Sequence, residues 1–577
     1  MKNMRSLRGF GAAALVAFAG CNSLDVQNPN EPDRVRALAD PNAIEAVGSG
    51  ALRTFFNAYT SLRGAGVLST QARSYSSSWN NGNLNFYSSV DNPTSPPDQW
   101  TRLNTPRSWQ NDAAAAARTS IDAFWGGGID ENGIQRGGFY NALSSANDAL
   151  IAIRKNGVVI RTASDTKRSE TVALMMQGAS LMMLALQYDK AYIVDENTDL
   201  NAIAYANRAV VRDSAVSKLS QAATLASANT FTTPTSWANG IAYTNVQIAQ
   251  LSNTLAAMTL AFWPRDNSEI AKVDWAKVAS FASKGISTGA RFDFMFVQDG
   301  YNAWISELMN WFEEIDTGRM STRVAHLLDP STQVDPWPLS GNPKPNSPDK
   351  RFGDGSFGNA DDVDAYGTYP KTAKGGTDYA WSGVAGFRPS RGSYHQSNMA
   401  QIRYDYSGNQ DPNGQYGGYG PAPVINATVN DLLWAEALLR QGAANMASAV
   451  ALIDKTRVGR GGLASSAANA GLGADADGPC MANGLQAKDG KACSLWAMLL
   501  YEKEVEEPGL GPVPFWEQRR LPVIVGGGWA GDNSLKRVIA GLLPGTPREM
   551  PVTYKELGVK GEAIYTWGGA TPNSPAP

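Results

Sequence analysis

The chain has two histidines in 577 residues, His326 and His395, and three cysteines. So little histidine leaves scant room for His-based general acid–base chemistry or a multi-histidine metal site. An excess of one charge is also missing. Fifty Lys and Arg face 53 Asp and Glu, and the balance of −3 exerts no bulk pull on DNA, RNA or anionic lipid, so nucleic acid is not an expected partner. The cysteines form no CxxC pair and have no neighbouring His, which argues against a metal site. Charged residues make up only 18%, while 57 Gly and 31 Pro point to a folded chain with long, structured loops.

Motifs that would carry catalysis are equally thin. GISTG at 285–289 fits G-x-S-x-G but follows a helical pattern, so the strained strand-to-helix elbow is missing. GDGSFG at 353–358 fits G-x-G-x-x-G without a preceding strand or a following helix. Glu313 with Glu314, and Asp361 with Asp362, are adjacent acids whose side chains diverge, whereas a glycosidase sets two carboxyls about 5–9.5 Å apart across its substrate. ADDVDAYG lacks the twelve-residue calcium loop. No catalytic residue, metal or cofactor is expected.

What is present starts at the N-terminus. Lys2, Arg5 and Arg8 precede an apolar run from Phe10 to Gly20, the layout of a secretory signal and too short for a bilayer span of about 20 residues. FAGC at 18–21 resembles a bacterial lipobox with Cys21 as the lipidated residue, although Phe18 stands where Leu is usual. Residues 1–20 are then a signal peptide and 21–39 a lipidated tether, and two or more acyl chains suffice for stable anchoring. Asn22 and Ser23 after Cys21 resemble outer-membrane sorting. An ordinary secretory signal with an incidental cysteine is the plain alternative. Cys480 and Cys493 flank a short loop, and in an oxidising compartment they are expected to close a disulfide worth about 3 kcal/mol. Two free buried thiols are the other reading.

Asp40 is a candidate N-cap with Pro41 at the first helical position, and Ile44, Val47, Ala51 and Phe55 share the face that follows. Periodicity predicts further helices at 111–125, 139–155, 170–192, 208–226, 241–263 and 274–286, with the Met-rich stretch from Leu174 to Leu186 as core filler. Between about 330 and 425 the pattern gives way to Pro, Gly, Asp and Tyr. Trp337, Tyr366, Tyr379 and Trp381 there indicate an ordered excursion, and QIRYDYS at 401–407 allows a strand or hairpin. A helix hairpin follows, with Leu432, Ala435 and Leu439 on its first face, Gly442 as C-cap and Asn445 as N-cap. Glu436 and Arg440, one turn apart, read as a pair worth a few tenths of a kcal/mol. A last predicted helix spans 494–507. The organisation expected is a scaffold with ligand loops at 40–330, an excursion at 331–425 and a C-terminal helical region at 426–577, all in one integrated body.

Taken in order, these segments resemble the SusD/RagB family of outer-membrane nutrient-uptake lipoproteins. CNSLDVQNPNEPD with DPNAIEAVGSGALR is similar to the family's lipidated start and first helix. NALSSANDALIAI, QGASLMMLALQYDKAY, LLWAEALLRQG followed by AVALIDKTRVGRGGL, and YEKEVEEPGLGPVPFWEQRR resemble its later helices. Asn426 stands where an Arg is usual. The resemblance implies a mainly α fold, a TPR-like scaffold of helix pairs in a superhelix with a long irregular excursion and minor β. It also implies an outer-membrane location, a SusC-like TonB-dependent transporter as partner, and an oligosaccharide or other nutrient as ligand. Aromatic faces stack on sugars while amides and carboxylates satisfy hydroxyls. The regions matching the family's ligand loops contribute Trp79, Asn80, Asn83, Tyr87, Trp100, Trp304, Tyr379 and Trp381 as candidate contacts. Trp304 shares a helical face with Trp311, and Leu308 between them also fits a buried stripe. Peptide capture, an anchored glycoside hydrolase and a structural TPR-like adaptor are the alternatives.

Overall fold

The computed structural model describes residues 39–77, 84, 118–129, 135–300, 303–312, 318–334, 343–352, 377–381, 396–404, 418–468, 471–526, 537–543 and 546–565. Helix α1 (Pro41–Tyr59) begins where the sequence places it. Asp40 accepts from the Asn42 amide at 2.9 Å, and Pro41 occupies a position that needs no N–H. A wide turn at Leu62–Gly66 and α2 (Val67–Gln71) lead to β1 (Tyr75–Ser76). After α3 (Arg118–Trp125), β2 (Gly128–Ile129) and β3 (Gln135–Arg136), α4 (Phe139–Leu150) continues as a second wide turn at Ile151–Lys155. Next come α5 (Ala163–Gln187), the β4 (Lys190–Tyr192) and β5 (Tyr205–Asn207) hairpin, α6 (Arg208–Ala228), α7 (Asn245–Ala261), α8 (Asn267–Ile270) and α9 (Trp275–Ala282).

The middle of the chain holds β6 (Phe294–Asp299), β7 (Arg319–Met320), α10 (Thr322–Leu328), β8 (Tyr379–Trp381), β9 (Met399–Gln401) and β10 (Tyr419–Ile425). It ends with α11 (Ala427–Arg440), α12 (Met446–Arg457), α13 (Leu495–Glu506), α14 (Val513–Arg520), β11 (Ile524–Gly526), β12 (Arg537–Ala540) and α15 (Tyr554–Lys560). Every sheet among the described residues has two antiparallel strands. The fold is therefore mainly α.

Helices stack in chain order. α1 packs on α4, α4 on α5, α5 on α6, α6 on α7, α7 on α9 and α9 on α11, which also touches α12 and α13. Each amphipathic helix buries its apolar stripe against the next, as helix pairs in an array do. One continuous buried cluster runs from Ile44 to Leu557.

At the centre lies α5, buried on all sides from Arg168 to Gln187. It is long and apolar enough to cross a membrane, yet its qualifying window is wholly inside the protein, which makes it a core helix. Met175, Met176, Met182 and Met183 fill that core. Gly178 lets α6 come close, since a Cβ there would lie 2.7 Å from Leu219 Cγ and 3.0 Å from the Leu219 amide nitrogen. Gly178→Ala is accordingly expected to cost about 1–3 kcal/mol through overpacking. A urea-unfolding midpoint equal to that of the wild type would contradict this.

Several local expectations are corrected. The helix predicted to reach 192 stops at Gln187, because the Gln187 carbonyl accepts from the Met550 amide at 2.6 Å and the Met550 carbonyl from the Asp189 amide. Long-range pairing with the tail pulls the chain out of the helix. Asn445 does not cap α12; its side-chain amide donates to the Leu438 carbonyl at 3.3 Å, and Gly442 makes the turn at φ 112°. No regular helix forms across 303–312, only a single wide turn at Leu308–Phe312. Cys480 and Cys493 are joined, with Cα atoms 5.7 Å apart.

Candidate functional site

The segments expected to meet a ligand trace back to one neighbourhood. β1 pairs with β7, Tyr75 opposite Met320, and the Ser74 carbonyl accepts from the Ser321 amide at 3.0 Å. The Met320 carbonyl accepts from Ser397 at 3.0 Å, which brings in β9, and β9 pairs with β8, Tyr379 opposite Gln401. The Asp378 and Tyr379 amides both donate to the Arg351 carbonyl at 3.0 Å. Thus the chain leaving at Ser77, the piece 377–381 and the piece 396–404 sit side by side. The fourth contributor, 303–310, lies against the end of α1. The Leu308 amide donates to the Thr60 carbonyl at 2.9 Å, and the Leu62 amide to Glu307 Oε2 at 2.9 Å.

Trp79, Asn80, Asn83, Tyr87 and Trp100 lie outside the described residues, as does Cys21. The remaining three candidates hold the base of this region. Trp304 is only 8% exposed, stacked on Phe296 at a centroid distance of 5.5 Å and tilted against Phe56. Tyr379 is 1% exposed, and its hydroxyl donates to the Val505 carbonyl at 2.5 Å. Both rings are therefore spent on the core and present no face to a ligand, because each follows a chain segment clamped against α1 or α13. Trp381 is half-buried, and its indole N–H has no acceptor among the described residues.

Beneath these roots runs α13. Ser494 caps it by accepting from the Ala497 amide, and every residue from Leu495 to Glu506 is buried, including Glu502, Lys503, Glu504 and Glu506. Buried charges persist only when paired. Arg351, fully buried, reaches Asp349 and Glu502 at 2.7 Å and Glu506 at 2.8 Å. Arg403 joins Glu506 at 2.9 Å, and Arg460 bridges Asp378 and Glu506. Burial alone would raise the Glu506 carboxyl, yet Arg351, Arg460 and Arg403 hold it at about 2. Burial dominates at Glu502 and pushes its carboxyl up, although Arg351 and Arg457 lie beside it.

A second knot surrounds Glu436. Arg520 grips it with two bonds of 2.6 and 2.5 Å, Lys503 reaches it at 2.6 Å and Arg440 at 2.8 Å, while Glu517 joins both Lys503 and Arg520. Burial would raise Glu436, but Arg520, Lys503 and Arg440 hold it well below the ordinary carboxylate range. A third anchor is Arg323. Its guanidinium takes Glu504 in a fork at 2.7 and 2.8 Å and donates to the Ala72, Arg73 and Ile539 carbonyls. Gln401 donates to the Pro508 carbonyl, Tyr59 to Leu510 and Ser69 to Gly511.

This arrangement can hold loops. The Ser287 hydroxyl of the GISTG motif accepts from Asn430 Nδ2 at 2.6 Å, and Asn430 Oδ1 accepts from Thr254, a polar knot that ties α7 to α11. Among the described residues no cluster of three or more His, Cys, Asp or Glu could hold a metal ion. The charged layer around α13 was not read from the sequence, where Glu436 and Arg440 stand as a pair worth a few tenths of a kcal/mol. The available signal was a dense run of acids in YEKEVEE followed at once by Arg519 and Arg520.

No protein-family model matches the sequence, and no curated protein matches it. Solved structures do match in fold. A SusD superfamily protein from Bacteroides thetaiotaomicron VPI-5482 superposes with a TM-score of 0.50 at 12% identity, over 90% of this chain and 98% of that one. A SusD-like protein from Bacteroides fragilis NCTC 9343 gives 0.49 at 12% identity, over 92% and 98%. A SusD-like carbohydrate binding protein from Bacteroides vulgatus ATCC 8482 gives 0.48 at 11% identity, over 93% of each. With helix pairs in sequence, two-stranded sheets between them and the first of these superpositions, the chain has the fold of the SusD superfamily.

Proposed function

We propose that this protein is a surface-exposed, lipid-anchored binding protein of the outer membrane that captures an oligosaccharide and delivers it to a SusC-like TonB-dependent transporter. The observation that carries the reading is the convergence of separate loop roots on one buried layer of paired charges. Capture requires loops held in place before the ligand arrives, because ordering them on binding subtracts from affinity. The layout from Lys2 to Cys21 supports the anchor, and the fold supports the role. Trp79, Asn80, Asn83, Tyr87 and Trp100 are the proposed contacts, with Trp381 at the margin; Trp304 and Tyr379 position the bases beneath them. Cys21 is the proposed lipidation site.

Isothermal titration of the purified protein against a glycan panel tests the ligand class. Saturable heat with one glycan family is the expected result, and the paired change Trp79→Ala, Trp100→Ala is expected to weaken it at least tenfold. Heat with peptides and none with glycans would replace the sugar, and steady hydrolysis of a polysaccharide would replace capture with catalysis.

A further inference from the structure

The two charged knots around α13 differ in one respect. Around Arg351, the carboxyls of Asp349, Asp378, Glu502 and Glu506 are matched by Arg351, Arg403, Arg457 and Arg460. Around Glu436 the match fails. Among the ion pairs of the described residues, Glu436, Asp475, Glu504 and Glu517 are joined to Arg323, Arg440, Lys503 and Arg520, and Glu507 makes none. Glu507 is the unmatched member. Its side chain is 3% exposed, and its carboxyl makes no hydrogen bond or ion pair among the described residues. It borders an internal void of about 10 Å³, room for one water at most, whose walls also include Ser74, Lys503, Glu504, Glu517 and Gln518.

We infer that Glu507 is a proton-binding site: its carboxyl keeps a proton in the folded protein at neutral pH and so closes the charge balance of the void under Ser74. A lone carboxylate at that depth would carry an uncompensated buried charge, and neutralisation is the cheaper outcome. The groups facing it are Lys503 and Glu504 from α13, Glu517 and Arg520 from α14 and Tyr59 from α1. Burial, then Glu517 and Glu504, push the carboxyl well above its ordinary value, against the pull of Lys503 and Arg520, whose charges are already taken up by Glu436 and Glu517. Ser74 immediately precedes β1, the root of the chain that carries Trp79 and Trp100. Loss of the proton would place a bare charge beneath that root.

The sign of the linkage follows. A carboxyl that binds its proton more tightly when folded stabilises the fold fully at low pH and loses that contribution as pH rises above the unfolded value towards the folded one. Glu507→Gln imitates the protonated acid. On the whole chain, its unfolding midpoint is expected to match the wild type at and below about pH 4 and to exceed it increasingly up to about pH 8.5. Infrared difference spectra at pH 7 are expected to show a protonated-carboxyl stretch in the wild type that is absent from Glu507→Gln. Glu507→Ala serves as the second variant if the first fails to fold, and the wild-type stretch can also be titrated alone. A midpoint gap that does not change with pH, or a wild-type spectrum without the protonated stretch at pH 7, overturns the inference.

Discussion

Glu436→Ala is expected to lose about 3–5 kcal/mol of folding stability, the scale set by removing one partner of a buried ion pair. The reason is what it leaves behind. Arg520 and Lys503 would share Glu517 alone, and Arg440 would keep only Asp475. Arg520 and Lys503 stand in the interior between α11, α13 and α14 and cannot reach water without opening the helix stack, whereas the Arg440 side chain is 12% exposed. Urea denaturation followed by circular dichroism measures the effect. A loss under 1 kcal/mol would mean that water reaches this knot and that the pairing is of the weak surface kind. Replacing Glu436, Arg520, Lys503 and Glu517 together with apolar residues is expected to cost much less than Glu436→Ala, because Arg440 then keeps Asp475 and no member of the knot is left as a bare charge.

Arg351→Met should cost a similar amount, and its penalty should depend on pH. In the wild type Glu506 is held at about 2, so its contribution is complete above the ordinary carboxylate value of about 4.3 and is lost as pH falls towards 2. Without Arg351, Asp349, Glu502 and Glu506 crowd one site, and Glu502 and Glu506 bind protons more readily. The variant is then penalised most at pH 7 and least near pH 5, where protons replace the missing cation. Unfolding free energies at the two values provide the check, and an equal penalty at both would show that Arg351 contributes through packing alone.

Local chemistry was legible in the sequence, and long-range pairing was not. Asp40 with Pro41 marks a helix start because a cap acts within three residues, and the Met-rich stretch of α5 reads as core because periodicity is local too. Nothing near Ser74 announces that its carbonyl meets Ser321, nor does anything near Met320 announce Ser397. Trp304 and Tyr379 were placed with the ligand because an aromatic residue in an irregular segment suits either a surface or a core, and the deciding partners, Phe296 and Val505, come from other elements. Buried acids mislead for the same reason: composition assigns charge to solvent, and only a folded neighbour such as Arg351 or Arg520 reverses that.

The anchors under the loops recognise main chain. Arg323 donates to the carbonyls of Ala72, Arg73 and Ile539, Tyr379 to that of Val505, and Gln401 to that of Pro508. A peptide carbonyl is the same whatever residue bears it, so the frame places few demands on the composition of what projects beyond it. Cargo preference can diversify by exchanging the projecting stretches wholesale, as interchangeable heads on one handle, while the grip beneath stays constant.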